Sequence, residues 1–235
     1  MPRPRSRTRY NIAVDLPPTR LTPRVIPAVD AWMAGEMFVS VHIEERRRGF
    51  ALLFGSEAAR RSALTPQLLA SRVDEPDLNL RAEIIQALAD YFEIRGRQYR
   101  YPADIRAAVV GHLRKFERPQ ILALLDLQRA VRESLVKFKA ESLACVLERI
   151  PNVSVHLTRI AGERSLALGL RCAAIELIGA VGFLDALPAL EGLEVRLEGR
   201  RAGQLPMTFA PTDNPDDQQL IPALKETLRA LRENE

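Results

Sequence analysis

The chain lacks most of the features that announce a location or a chemistry. No run of about 18 uncharged apolar residues occurs, which leaves no candidate membrane span. The opening MPRPRSRTRY has no apolar signal core, and Pro2 and Pro4 oppose the amphipathic helix of a transit peptide. Cysteine is limited to Cys145 and Cys172, both on expected helices, which reads as buried free thiols and not a disulfide framework. A cytoplasmic location is the default expectation. Aromatic residues make up only 6% of the chain, while Leu and Ala are many, which suits packed helices.

Catalytic and ligand-binding signatures are equally scarce. There is no G-x-x-x-x-G-K-[ST] loop, no G-x-G-x-x-G fingerprint, no C-x-x-C and no H-E-x-x-H. The three histidines, His42, His112 and His156, are scattered, and neither cysteine has a His near it in sequence. Asp213, Asp216 and Asp217 lack the alternating oxygen ligands and central Gly of a calcium loop. The expectation is no cofactor, no metal and no assigned catalytic residue.

Charge is unevenly spread. Residues 1–24 hold six arginines (Arg3, Arg5, Arg7, Arg9, Arg20, Arg24) against Asp15 alone, a net +5, which leaves −1 for the remainder of a chain of net charge +4. With Pro17 and Pro18, residues 1–20 read as an extended or disordered basic arm. Such an arm is a solvated tail or touches an acidic partner or nucleic acid. Residues 21–235 read as one domain.

What the chain does have is a recurring helical pattern. Ile105-Arg106 is followed by Val109, Val110, Leu113 and Phe116, and Leu80-Arg81 by Ile84, Ile85, Leu88 and Phe92. Leu170-Arg171 is followed by Ala174, Ile175, Ile178 and Val181, and Arg47 by Phe50, Ala51 and Phe54. Spacings of three and four put each set on one helical face. The stretch from Phe116 aligns without a gap with that from Val181. A short amphipathic helix cannot bury its apolar face alone, so such units must stack. The expected class is all-α.

The rest of the chain fits the same expectation. Thr22 and Pro23 open a helix over 22–36 carrying Trp32, which reads as a core or end-cap residue. Residues 38–55 fit one long helix better than a β-hairpin. A helix spans 63–73, and the Asp74 to Asp77 turn caps the next. Helices are expected from Pro119 to Val131, from Glu133 to Ile150, briefly over 153–162, over 164–181, and from Asp216 to the C-terminus. Residues 198–215 read as a loop.

The segments Asp77-x-x-Leu80-Arg81…Leu88, Asp104-Ile105-Arg106-Ala107-Ala108…Leu113 and Leu170-Arg171-x-Ala173-Ala174-x-x-Leu177-Ile178-Gly179-x-x-Gly182…Ala186-Leu187-Pro188-Ala189-Leu190 resemble HEAT repeats. The resemblance covers roughly residues 40–235 and is most typical at 170–190. It implies a degenerate HEAT-like solenoid of helical hairpins, with Asp77 and Arg81, and less regularly Asp104 and Arg106, tying neighbouring units together. It carries little about function, since such repeats bind proteins, nucleic acids or small molecules.

The expected function is a non-catalytic protein–protein interaction module. The insert at 91–102, where Tyr91, Tyr99 and Tyr101 interleave with Arg95, Arg97 and Arg100, supplies the candidate contacts Arg95, Arg97, Tyr99, Arg100 and Tyr101. Gln67, Arg72, Arg118 and Gln120 join them as inner-face contacts. The partner expected is another protein. The alternatives are nucleic-acid binding through the arm and the insert, and a chromophore or cofactor lyase role.

Overall fold

The computed structural model describes residues 26–55, 57–95, 98–201 and 215–233, with side chains described from Trp32 onward except those of residues 95, 98–99, 201 and 215. The basic arm, the expected Thr22–Pro23 helix start and most of the expected 198–215 loop lie outside these residues. The fold is all-α. Twelve helices are present among the described residues: α1 (Ile26–Phe38), α2 (Ile43–Gly55), α3 (Glu57–Arg60), α4 (Leu64–Ala70), α5 (Leu78–Asp90), α6 (Ala103–Leu113), α7 (Arg118–Arg132), α8 (Ala140–Leu147), α9 (Val153–Gly162), α10 (Leu168–Val181), α11 (Leu187–Arg201) and α12 (Pro215–Glu233). A 3-10 turn (Leu184–Ala186) precedes α11.

The helix boundaries have local causes. Asp77 caps α5 by accepting from the Leu80 N–H at 2.8 Å, as its place before an apolar stripe predicts. Behind that cap Leu80, Ile84, Ile85 and Leu88 are buried. The Glu117 N–H donates to Gln120 Oε1 at 3.0 Å at the start of α7. Gly182, at φ +80°, closes α10, with the N–H groups of Gly182 and Phe183 both reaching the Ile178 carbonyl. A left-handed residue there satisfies carbonyls the helix leaves open.

Several boundaries depart from the sequence reading. Residues 38–55 are not one helix, because α1 closes at Phe38 and α2 opens only at Ile43. The two helices are held close at Gly49, where an added Cβ would lie 2.4 Å from the Phe38 nitrogen and 2.6 Å from the Ala34 oxygen. Residues 133–150 are not one helix either. Ser134, at φ 59°, turns the chain after α7, and α8 begins only at Ala140. The insert folds as a two-stranded antiparallel ribbon, β1 (Ile94–Arg95) with β2 (Gln98–Tyr99). Helix α10 starts at Leu168, four residues later than expected, and α11 runs on to Arg201.

Two trails of helix contact run along the molecule. In one, α1 packs on α4 and α4 on α6; in the other, α2 packs on α5, α5 on α7, α7 on α10 and α10 on α12. Helix α8 wedges between α5 and α10. A single apolar core cluster extends from Ala34 to Leu231.

Buried arginine–carboxylate clamps cross this core. Arg46 reaches Glu75 at 2.7 Å and the Val41 carbonyl at 2.8 Å, and Arg72 reaches the same carboxylate at 2.6 Å. Arg81 donates to the Glu75 carbonyl at 2.6 Å and to Asp126 at 3.0 Å. Arg171 donates to the Ala161 carbonyl at 3.1 Å and to Asp217 at 3.1 Å, and Arg164 and Arg200 converge on Asp217 from outside. Arg81 and Arg171 thus each join a main-chain carbonyl to a carboxylate far along the chain. On α2 the buried clamp is made by Arg46 and not by Arg47, whose guanidinium lies at the surface between Glu44 and Asp77.

Candidate functional site

A groove of about 640 Å³ lies between α2, α5 and the connector that leads into α8. Its floor is α5. Ala82 and Ala87 are small there, which leaves the space, while Asn79 and Glu83 stand at the rim. One wall is the pair Phe50 and Phe54, one turn apart on α2 and stacked with centroids 6.0 Å apart. Phe54 is fixed from behind by an edge contact with Tyr91 at 6.3 Å and by the Arg60 guanidinium 5.3 Å from its centroid. Gln86 is fixed as well. It donates to Asp90 at 2.9 Å and accepts from the Ser142 hydroxyl at 2.7 Å, which ties the start of α8 to α5.

The opposite wall is the connector itself, Val136–Lys139. Val136 is buried and Phe138 half-buried, whereas Lys137 and Lys139 are exposed. Neither lysine has a carboxylate within ion-pair distance among the described residues. Most arginines with described side chains do have one, from Arg46 through Arg232. The contrast matters because the chain contains four lysines against thirty arginines. Lys225 pairs with Glu198; the other three line grooves.

The third of these, Lys115, lies in a smaller and more polar groove of about 280 Å³, with Gln67, Ser71, Asp74, His112 and Gln120. Burial, reinforced by the Lys115 charge, holds the His112 imidazole below its ordinary value, which favours its neutral form. Gln67 also borders an apolar hollow of about 240 Å³ with Trp32, Val39, Leu64 and Leu68. Trp32 is therefore no core residue: it is 64% exposed and its indole N–H donates to Glu36 at 3.0 Å.

Of the residues singled out in sequence, only Gln67 and Gln120 share a groove, and Gln120 also serves as a cap. Arg72 belongs to the Glu75 clamp. Arg118 is exposed and bridges to Glu163 at 2.7 Å. In the insert, Tyr101 is buried, as is Tyr91, and their rings lie 4.8 Å apart. Tyr101 therefore presents no contact surface. Arg100 turns back onto Glu93 at 3.1 Å and onto the Tyr101 ring. The side chains of Arg95, Arg97 and Tyr99 lie outside the described residues. In sequence, Phe50 and Phe54 read only as part of an apolar stripe, and Lys137, Phe138 and Lys139 do not read as contacts. The signal that points to them is the rarity of lysine, with three of the four falling between residues 115 and 139.

No group of three or more His, Cys, Asp or Glu side chains that could hold a metal ion occurs among the described residues, and no helix among them is long and apolar enough to cross a membrane. Comparison with protein families, with curated proteins and with solved structures finds no match to this chain.

Proposed function

We propose that the chain is a helical-repeat protein–protein interaction module, a degenerate HEAT-like stack of hairpins whose groove between α2 and α5 receives a segment of another protein. The stacking part of this reading is supported by the trail α2, α5, α7, α10, α12. It is also supported by the separation of the clamp partners, 45 residues for Arg81 and Asp126 and 46 for Arg171 and Asp217. A near-constant offset is what a repeated unit produces. The observation that carries the functional part is the groove: an apolar trough of about 640 Å³, flanked by two lysines that have no carboxylate partner among the described residues. Apolar concavities with a few placed polar groups are the default binding sites of folded chains.

The scarcity of lysine supplies the test. An amine-reactive cross-linker can join the chain to a partner only through its amino terminus and Lys115, Lys137, Lys139 and Lys225. The full chain is incubated with native lysate, treated with nuclease, cross-linked and mapped by mass spectrometry. The expected result is a discrete protein joined through Lys137 or Lys139. Capture that disappears with nuclease, or cross-links confined to the amino terminus and Lys225, overturns the reading.

A further inference from the structure

The connector Val136–Lys139 carries more than two charges. Among the described residues, Val136, Lys137 and Phe138 make no main-chain hydrogen bond. They follow the turn at Ser134 and precede α8, whose first turn reaches back only to the Lys139 carbonyl, through the Ser142 N–H at 3.1 Å. Lys139 has extended backbone, φ −90° and ψ 117°. Main-chain groups in a folded chain are nearly always paired, with protein or with water. One wall of the groove is thus a non-helical stretch in which the N–H and C=O groups of Val136, Lys137 and Phe138 have no partner among the described residues.

Three features converge on the same trough. The floor and far wall are apolar, with Phe50, Phe54 and Ala82. The near wall has unpaired main chain. Its exposed side chains are Lys137 and Lys139, alternating with the inward Val136 and Phe138, as in a strand. We infer that this groove binds an extended acidic peptide segment, laid alongside Val136–Lys139, with its main chain paired to the connector, apolar side chains against Phe50 and Phe54, and carboxylates on Lys137 and Lys139. This is strand addition to an unpaired main-chain edge, in which hydrogen bonds to the backbone supply affinity and alternate side chains supply selectivity. The charge of the groove decides the sign of the partner. The charged side chains that line the groove are Lys137 and Lys139 against Glu83, so acidic residues are favoured and basic ones repelled. The inference rests on the reading of the chain as a protein-binding module and names the chemistry of its partner.

The experiment is selection from a random dodecamer peptide library on the full chain, followed by fluorescence anisotropy of the enriched peptides. Lys137→Glu/Lys139→Glu and Lys137→Gln/Lys139→Gln variants are compared with wild type. Both side chains are exposed, so helicity and melting are expected to match wild type. Enriched peptides should combine Asp or Glu with Phe, Leu or Ile. Their affinity should fall about tenfold on neutralising both lysines, as two exposed charge pairs would give, and further on reversal. Methylating alternate amide nitrogens of a peptide should abolish its binding, because the main chain carries part of the contact. Basic or uncharged consensus peptides, binding unaffected by both variants, or binding unaffected by N-methylation would each overturn the inference while leaving the module reading intact. An empty selection overturns the inference; if the cross-linking experiment is also empty, both fall together.

Discussion

Glu75 is the residue on which the first half of the molecule turns. Its side chain is fully buried and accepts from Arg46, from Arg72 and from the Asp77 N–H, while its carbonyl accepts from Arg81. Glu75→Gln preserves the shape and removes the charge. Arg46, with 10% of its side chain exposed, and Arg72, with 26%, are then left without a counter-charge. Removing one member of a buried ion pair costs about 3–5 kcal/mol. Arg46 keeps its bonds to the Ser40 and Val41 carbonyls and Arg72 can turn to water, so the low end applies, about 3 kcal/mol. For a chain of this size that corresponds to a fall in Tm of roughly 6–12 °C. Urea denaturation followed by far-UV circular dichroism measures it. Replacing both partners, Arg46→Met with Glu75→Leu, should restore most of the loss, because an apolar pair needs no counter-charge. A loss below about 1 kcal/mol in Glu75→Gln would refute the reasoning.

The same carboxylate sets a pH dependence. Burial pushes the Glu75 carboxyl up, but the bonds from Arg46, the Asp77 N–H and Arg72 together outweigh it and hold it below its ordinary 4.5. The folded state therefore binds its proton less readily than the unfolded state. Its contribution is complete above about pH 4.5 and is lost as pH falls through the depressed folded value. Asp126 acts in the same sense. Burial raises it, while Arg129 and Arg81 hold it down. Stability of Glu75→Gln should be flatter than wild type in this acid window.

Gly49→Ala should destabilise by about 1–3 kcal/mol, as overpacking does, because its new Cβ meets the backbone of α1, which cannot turn aside; an unchanged urea midpoint would contradict the close approach of α1 and α2. Cys172 is buried and the Cys145 thiol is pushed up by burial, so Ellman's reagent should react slowly with the native chain and rapidly with two thiols in denaturant. Rapid native labelling of both would contradict their placement.

The apolar rhythm was legible because it is a local property. Leu80, Ile84, Ile85 and Leu88 lie inside as their spacing requires, and so do Ile175 and Ile178. The arginine register was legible to within one residue. Arg81 and Arg171 are clamps, but Arg46 and Arg47 differ by about 100° around a helix, and only the position of Glu75 decides between them. The aromatic insert misled because interleaved Tyr and Arg look the same whether the rings face a partner or the core. Tyr91 packs edge-on against Phe54, and Tyr101 packs against Tyr91. The helix break after Arg132 depends on Ser134 adopting a positive φ, which its residue type does not demand. The groove was invisible for a different reason: it is assembled from α2, α5 and the connector, segments that no sequence window contains together.

The division of labour between arginine and lysine connects these parts. A guanidinium is a rigid planar fork that can serve two acceptors at once, while an ammonium is a mobile point charge. Arg46, Arg81 and Arg171 each use the fork to join a carbonyl to a carboxylate far along the chain. Buried pairs of this kind add little net stability over apolar packing, so their use here is to fix the register between helices. Fixed register in turn fixes the groove. Helix α5 carries Arg81 on its clamped face and Ala82, Glu83 and Gln86 beside the trough, so the position of the floor follows from the clamp. With the walls held by Arg60, Tyr91 and Ser142, a ligand would meet a site that is already formed and would lose little affinity to ordering it. Lys137 and Lys139 are exposed and have no ion-pair partner among the described residues, and an ammonium on a flexible stem can adjust to carboxylates laid beside it. Neutralising these two lysines should therefore change binding without moving the melting transition, whereas breaking the Glu75 clamp should change both.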